Sequence, residues 1–142
     1  MYVKNYMQAI IVTVSPDNLL SAVRHLMDDL FIRHLPVVLK GNRLTGLITD
    51  RDIRQVGAAH HHGAPQTHDP QDVLHGLCVS HVMTRQLYTV TPETTLIEAA
   101  ATFLEQKFDC LPVVDENGIL KGLLTVSDFA RIYIEEHESV IV

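Results

Sequence analysis

The chain has 142 residues, about the length of one ordinary domain, and 46% of them are hydrophobic while 20% are charged. A formal net charge of −6 argues against a nucleic-acid-binding protein, because neutralising a phosphate backbone requires a basic face. No apolar run reaches the roughly 18 residues that a membrane-spanning helix needs, and we expect no signal peptide. The two cysteines, Cys78 and Cys110, have no metal-ligand or redox spacing, so we expect free thiols and a cytoplasmic protein.

The first part of the chain predicts the order strand, helix, strand, strand, helix. A β-branched run over 10–14 predicts a strand, and apolar residues at helical spacing follow from Leu19 to Leu30. Ser15-Pro16-Asp17 is typical of a helix opening, with a capping hydroxyl, proline at the first position and an acid at the positive end of the dipole. The remaining elements are strands over 35–39 and 44–49, a turn at 40–43, and a helix beginning near Thr49-Asp50.

The composition of residues 57–77 predicts a linker between the two units. Its middle is small, polar and interrupted by Gly and Pro, which is typical of a mobile surface loop. Histidine is a common zinc ligand, but the histidines here have no cysteine beside them and no fixed spacing, so we expect no structural metal site. These histidines are His60, His61, His62 and His68.

The second part of the chain repeats the first. A shift of 76 residues aligns residues 3–54 with 79–130 without a gap, and 15 aligned positions are identical. A strand over 87–90, a helix opening at Thr91-Pro92-Glu93 and a helix beginning near Thr125-Val126 follow in the same order. We therefore predict an α/β fold of the α+β type, with two tandem units, 1–56 and 78–142, packed with pseudo-two-fold symmetry.

Each unit carries the element Gly-x-x-Thr-x-x-Asp where its last strand meets its last helix. A threonine hydroxyl and free amides at a helix N-terminus suit a phosphate, and a carboxylate one turn later accepts both hydroxyls of a ribose. Gly46 and Gly122 would let a flat ring approach the strand backbone. The same spacing also matches a capping box that only starts a helix, and this alternative stays open.

These motifs together resemble a tandem pair of CBS (cystathionine-β-synthase) domains, a Bateman module. The resemblance rests on Val-x-x-Tyr-Met at 3–7, Val-Ser-His-Val-Met-Thr at 79–84, two Leu-Pro-Val-Val strands and the two Gly-x-x-Thr-x-x-Asp elements. It implies a regulatory protein that binds AMP, ADP, ATP, NAD or S-adenosylmethionine in the cleft between two units. It also implies a homodimer arranged as a four-unit disc and a separate regulated protein.

Carried onto this chain, the resemblance implies ribose contacts by Asp52 and Asp128, and phosphate or ribose contacts by Thr49 and Thr125. The segments 32–34 and 108–110 would flank the adenine, while 8–10 and 85–87 would close the other side of each pocket. Lysine and arginine favour a phosphate-bearing ligand such as AMP or ATP. The other candidate ligand-binding residues are Arg33, His34, Arg51 and Ile10, with Arg85, Leu87, Lys107, Phe108, Cys110 and Ser127.

For the nucleotide-sensing module we expect a dimer seam at the alanine-rich face of 99–101 and the final helix, Ser127 to about His137. Two other kinds of function are alternatives. A structural dimerisation module that binds no nucleotide would have lost the Thr or the Asp of its motif, and both repeats keep them. An enzyme would need an activated nucleophile, a phosphate-binding loop or paired carboxylates, and the sequence shows none of these patterns. We therefore expect a non-catalytic module.

Overall fold

The computed structural model describes residues 1–9, 11–61 and 74–138. Within these residues the elements follow the predicted mixture of helices and short strands. The helices are α1 (Leu20–Leu30), α2 (Asp50–His61), α3 (Leu96–Gln106) and α4 (Val126–His137). The strands are β1 (His34–Leu39), β2 (Arg43–Thr49), β3 (Cys110–Val114) and β4 (Leu120–Thr125), and two short 3₁₀ turns occupy Val3–Asn5 and Val79–His81.

Two antiparallel hairpins form the centre of the fold. Strand β1 pairs with β2 so that Val37 lies opposite Gly46, and β3 pairs with β4 so that Val113 lies opposite Gly122. Each hairpin has a register shift directly after that valine, at the same repeat position. The first turn places Gly41 and Asn42 at φ of 80° and 64°, conformations that these residue types tolerate well.

The strands predicted over 10–14 and 87–90 are reduced to single bridges. Val14 donates its N–H to the Pro36 carbonyl over 3.0 Å and accepts one from the Val38 N–H over 2.9 Å. Val90 makes the same parallel bridge beside β3. Pro36 has no N–H, so a longer ladder beside this residue would lack a donor. Ile10 itself lies outside the described residues.

The predicted helix openings at Ser15 and Thr91 are wrong, because both helices begin later, at Leu20 and Leu96. Asn18 closes a turn by donating its N–H to the Ser15 carbonyl, and its side-chain oxygen accepts the Ser15 N–H. Proline suits the second position of such a turn as well as the first position of a helix, since both need the same φ. In the second repeat the helix cap is a Thr95–Glu98 capping box.

The predicted linker is shorter in the structure. Helix α2 runs on to His61, and Leu74, 7% exposed, belongs to the core of the unit that contains α1. Both ends of the segment 57–77 are therefore part of folded structure rather than of a loop. Residues 62–73 lie outside the described residues, together with the predictions made for His62 and His68.

The chain divides into two compact units that do not coincide with the two sequence repeats. The first unit is Val12–Leu87, and the second combines Met1–Ile11 with Tyr88–Val142. In the second unit the N-terminal segment pairs with β4, where Gln8 and Leu123 exchange two backbone hydrogen bonds of 2.8 and 3.0 Å. In the first unit Thr84 and Leu47 make the equivalent pair. Each repeat is thus completed by the segment that begins the other repeat.

Hydrophobic anchors explain why these segments pack where they do. Val3 is completely buried in the second unit, and Val79 is completely buried in the first. Met7 packs against the second core, and Met83 belongs to the first. Since Val and Met recur four residues apart around a 3₁₀ turn, one short segment closes a core and adds a single backbone bridge at the edge of the hairpin.

Candidate functional site

The two Thr-x-x-Asp elements form capping boxes at the starts of α2 and α4. The Thr49 N–H donates to the Asp52 carboxylate over 3.0 Å, and the Asp52 N–H donates to the Thr49 hydroxyl over 3.1 Å. Thr125 and Asp128 form the second box, with 2.7 Å between the Thr125 N–H nitrogen and Oδ2. The capping alternative is therefore present in the structure, and any ligand at these helix starts would share the carboxylates with the caps.

Asp128 has more partners than the cap alone provides. Its side chain is almost completely buried, with a relative exposure of 1% for the residue. Arg131 donates to Oδ1 over 2.8 Å, and the Gln8 amide lies 3.2 Å from both carboxylate oxygens. The cap and these two side chains hold the carboxylate from three directions, so its position is fixed.

Sequence reasoning did not select Gln8 or Arg131 as individual site residues. Arg131 was detectable, because residues three apart on a helix are neighbours. Gln8 lies 120 positions from Asp128 in the chain, so only the exchange of N-terminal segments brings the two together.

The candidate residues of the first repeat collect in the first unit. His34 lies opposite Thr49 in the hairpin, and the Arg33 carbonyl accepts the Asp50 N–H over 2.9 Å. Arg33 and Arg51 are exposed. Asp50 is held by Arg24 at 2.8 Å and by Arg54 at 3.0 Å. The start of α2 therefore combines a carboxylate and a hydroxyl with a neighbouring exposed cation.

The segment 85–87 was expected beside the second Thr-x-x-Asp element, but it belongs to the first unit. Arg85 is exposed and donates to the Ser80 carbonyl over 3.0 Å, while Leu87 is half-buried at the end of this unit. The physical reason is the pairing of Thr84 with Leu47, which fixes the following residues beside β2. Arg85 is therefore to be considered with Thr49 and Asp52 rather than with Lys107.

In the second unit, Cys110 lies opposite Thr125 in the hairpin and is buried. Phe108 packs against Tyr88 with ring centroids 5.3 Å apart. Lys107 is exposed and ends α3 in a left-handed conformation, and Ser127 is exposed on the first turn of α4. Tyr88 is a further aromatic residue of this unit that the sequence patterns did not single out, because its contact with Phe108 is long-range.

Gly46 and Gly122 are closely covered on the side where a Cβ would stand. A Cβ at Gly122 would lie 2.7 Å from the Met7 sulfur and 2.9 Å from the Gln8 carbonyl oxygen. The corresponding distances at Gly46 are 2.8 Å to the Met83 sulfur and 3.0 Å to the Thr84 oxygen. The absence of a Cβ at each glycine therefore lets the edge segment pack against the strand, and the contact with a flat ring stays a prediction.

Burial, together with the nearby Asp128 and Asp109 carboxylates, raises the pKa of the Cys110 thiol to about 12. An unfolded thiol ionises near its ordinary pKa of about 8.5, whereas the folded thiol stays protonated. Above that pH the unfolded chain has released a proton that the folded chain retains. This contribution to stability is therefore complete below the unfolded pKa and is lost as the pH rises towards about 12.

We expect the free energy of unfolding of the native chain to fall more steeply between pH 8 and 10 than that of Cys110→Ala. The maximum difference is about 1.4 kcal/mol per pH unit. Urea unfolding at several pH values measures it, and Cys78→Ala is the matched control, which should keep the native slope. Parallel pH profiles for the native chain and Cys110→Ala would contradict the assignment.

Two further observations concern the part of the chain that the structure describes. It holds no group of three or more His, Cys, Asp or Glu side chains suited to a metal ion. None of the helices described is both long and apolar enough to cross a bilayer.

The family model of the CBS domain matches residues 3–58 and again 79–135. Together with the two hairpin units and their Thr-x-x-Asp helix starts, this match defines a tandem CBS pair. The chain belongs to the CBS domain family. The family and the mixed helix–strand fold expected from the sequence are both confirmed.

Comparisons with individual proteins agree with this assignment. Inosine-5'-monophosphate dehydrogenase from Bifidobacterium longum is 37% identical over 120 residues, 84% of this chain and 20% of the dehydrogenase. The chain spans about one fifth of the length of the curated relatives that it matches first. The match therefore covers only a part of each dehydrogenase. The dehydrogenase activity is a property of those longer proteins.

Two solved structures cover nearly the whole chain. A protein described as an acetoin utilization protein (AcuB), from Vibrio cholerae, superimposes with a TM-score of 0.82 at 28% identity, covering 97% of this chain and 93% of its own. The structure of CBSX2 in complex with AMP gives a TM-score of 0.79 at 27% identity, covering 94% and 96%.

Proposed function

We propose that this CBS pair is a non-catalytic regulatory module whose effector is an adenosine nucleotide, with AMP or ATP preferred. The observation that carries the proposal is the similarity to CBSX2, a protein of the same fold whose structure contains AMP. Both repeats of this chain retain the threonine and the aspartate of the shared element. Loss of either residue would have favoured the structural module without a ligand.

The proposed contacts follow from the chemistry of the helix starts. Asp52 and Asp128 carry the carboxylates that suit ribose hydroxyls, and Thr49 and Thr125 carry the hydroxyls that suit ribose or phosphate. Arg33, Arg51 and Arg85 are exposed in the first unit, where charge-assisted hydrogen bonds would favour a phosphate over the sulfonium of S-adenosylmethionine. ADP and NAD are further candidates.

Regulation requires that the effector prefers one of two states of the module. A ligand can shift a conformational equilibrium only by the difference between its affinities for the two states. We propose that the change passes to a separate protein, in the reducing cytoplasm that the free Cys78 and Cys110 suit.

A thermal-shift screen tests the proposal. We expect AMP or ATP, at about a hundred times its Kd, to stabilise the chain by about 2.7 kcal/mol and to raise its Tm by roughly 5–10 °C. ADP, NAD and S-adenosylmethionine complete the panel, and inosine monophosphate is a control that tests the adenine preference. A flat Tm across all five adenosine compounds would reject the proposal.

We also propose that the chain forms a homodimer through one face of its second unit. A groove of about 420 Å³ lies between α3 and α4. Ile97 and Leu104 beside it are 83% and 82% exposed, and a monomer rarely exposes a contiguous apolar patch of this kind. The apolar lining of the groove is Ala100, Phe103, Leu104, Phe108, Val126 and Phe129.

The first repeat provides an internal comparison for this face. The positions of Ala100 and Val126 are taken there by Arg24 and Asp50, which form an ion pair of 2.8 Å. A charged face suits solvent, and burying it against an apolar face would leave charges without water. An apolar face is best covered by an identical one, so we propose contact between two copies of the second unit.

The predicted seam needs one revision. Ala99 is completely buried in the core of its own unit, so the alanines available to a partner are Ala100 and Ala101. On α4 the exposed apolar side chains are Val126, Tyr133 and Ile134.

We expect Leu104→Glu to weaken self-association at least about tenfold, since it places a charge in an apolar contact. Sedimentation velocity over a range of protein concentrations measures the change. Asp28→Glu, at the equivalent position of the first repeat, is the matched control and should leave the association unchanged. A native chain that stays monomeric at about 100 µM would reject the proposed dimer.

A further inference from the structure

The two Thr-x-x-Asp elements are unequal in how fully their carboxylates are already used. A carboxylate has two oxygens and about four acceptor positions. At Asp128 these positions face the Thr125 N–H, the Thr125 hydroxyl, the Gln8 amide and the Arg131 guanidinium. The four donors therefore use about all of the acceptor positions of the Asp128 carboxylate.

A ribose would bring two more donors to the same oxygens. Each hydroxyl needs an acceptor position, and among the residues that the structure describes, only Gln8 and Arg131 hydrogen-bond to the Asp128 side chain from outside its own capping box. The nucleotide would have to displace both side chains. Their removal breaks a charge-assisted hydrogen bond of 2.8 Å at a carboxylate that is almost completely buried.

The first element has different neighbours. The position equivalent to Arg131 is Gln55, and the position equivalent to Gln8 is Thr84. Neither can supply a cation, and threonine lacks the length of a glutamine side chain. Asp52 is half-buried rather than fully buried.

The cations are distributed in the same sense. Arg33, Arg51 and Arg85 are exposed side chains of the first unit. In the second unit Arg131 is bound to Asp128 itself, which leaves Lys107 as the exposed cation among the candidate residues of that unit. The first unit therefore offers a phosphate more unpaired positive charge near its helix start, as well as a more accessible carboxylate.

We infer that the chain binds one nucleotide, at Thr49 and Asp52, and that Gln8 and Arg131 close the second element by occupying Asp128. The inference rests on the proposed nucleotide binding and adds to it the number and the place of the bound molecules. Gln8 is then a self-inhibitory contact that the N-terminal segment supplies. Its removal together with the charge of Arg131 opens a second site.

Isothermal titration of the full chain with AMP tests the inference. We expect one AMP per native chain and a loss of affinity of at least about a hundredfold in Asp52→Asn. The double variant Gln8→Ala/Arg131→Gln should bind two AMP per chain. This double variant retains Asp128 and its capping box.

The matched control is Thr84→Ala/Gln55→Ala, which changes the equivalent positions of the first repeat and should still bind one AMP. Two AMP on the native chain, an unaffected Asp52→Asn, or one AMP on the Gln8/Arg131 variant would each overturn the inference and leave nucleotide binding intact. Absence of AMP binding in the native chain and in the Gln8/Arg131 variant would overturn both proposals.

Discussion

Replacing Gly122 with alanine is expected to destabilise the protein by about 1–3 kcal/mol. The new Cβ would lie 2.9 Å from the Gln8 carbonyl oxygen, which is backbone that the pairing with Leu123 holds in place. The Met7 sulfur at 2.7 Å can move, but the carbonyl cannot move without breaking the edge pairing. Urea unfolding measures the loss, and Gly46→Ala should give a loss of similar size.

Gly57→Ala is the matched control for these variants. Gly57 lies in α2, and a Cβ there would meet nothing within 4 Å. Because alanine is the better helix former, this variant should be as stable as the native chain or more stable by up to about 1 kcal/mol. Equal midpoints for Gly122→Ala and Gly57→Ala would show that the edge segment does not pack against β4 as described.

Replacing Asp128 with alanine should have the larger effect, about 2–4 kcal/mol of lost stability. The variant loses the cap of α4, which typically contributes about 1 kcal/mol, and a charge-assisted hydrogen bond from Arg131 of about 1.5–3 kcal/mol. It also leaves the half-buried Thr125 N–H, at the start of the helix, without its side-chain acceptor. Chemical denaturation followed by circular dichroism measures the change.

Asp52→Ala is the control at the equivalent position. Its carboxylate is half-buried and caps α2, so the loss should be about 1 kcal/mol. The difference between the two variants reports the extra partners of Asp128. Equal losses would mean that the contacts with Gln8 and Arg131 contribute nothing to the folded state.

The sequence predicted those parts of the fold that depend on neighbouring residues. The duplication, the two hairpins and the start of the final helix of each unit all follow from local patterns, and the structure contains them. The turn of the second hairpin is an example. It needs a positive φ, which glycine tolerates, and Gly118 has a φ of 79°. Helix starts at Leu20 and Leu96 were missed, since the pattern around Pro16 and Pro92 is common to turns and helices.

Long-range pairing was beyond the sequence patterns. Val3 and Met7 have the same spacing as Val79 and Met83, so nothing local says which core each segment completes. Because each N-terminal segment pairs with the hairpin of the other repeat, Arg85 lies in the unit of the first Thr-x-x-Asp element and Gln8 in the unit of the second. The threonine and aspartate of the site were found because they repeat, whereas the Gln8–Asp128 contact has no signal in either repeat alone.

The central claim is that a nucleotide binds at the Thr-x-x-Asp elements, and its most direct test is a titration of the ¹⁵N-labelled chain with AMP by NMR. We expect saturable chemical-shift changes at the amides of Thr49 and Asp52, whose N–H groups form the first capping box. The turn amide of Gly118 provides an internal reference and should not shift. Saturation with shifts confined to residues outside both elements, or no shifts at millimolar AMP, would contradict the account.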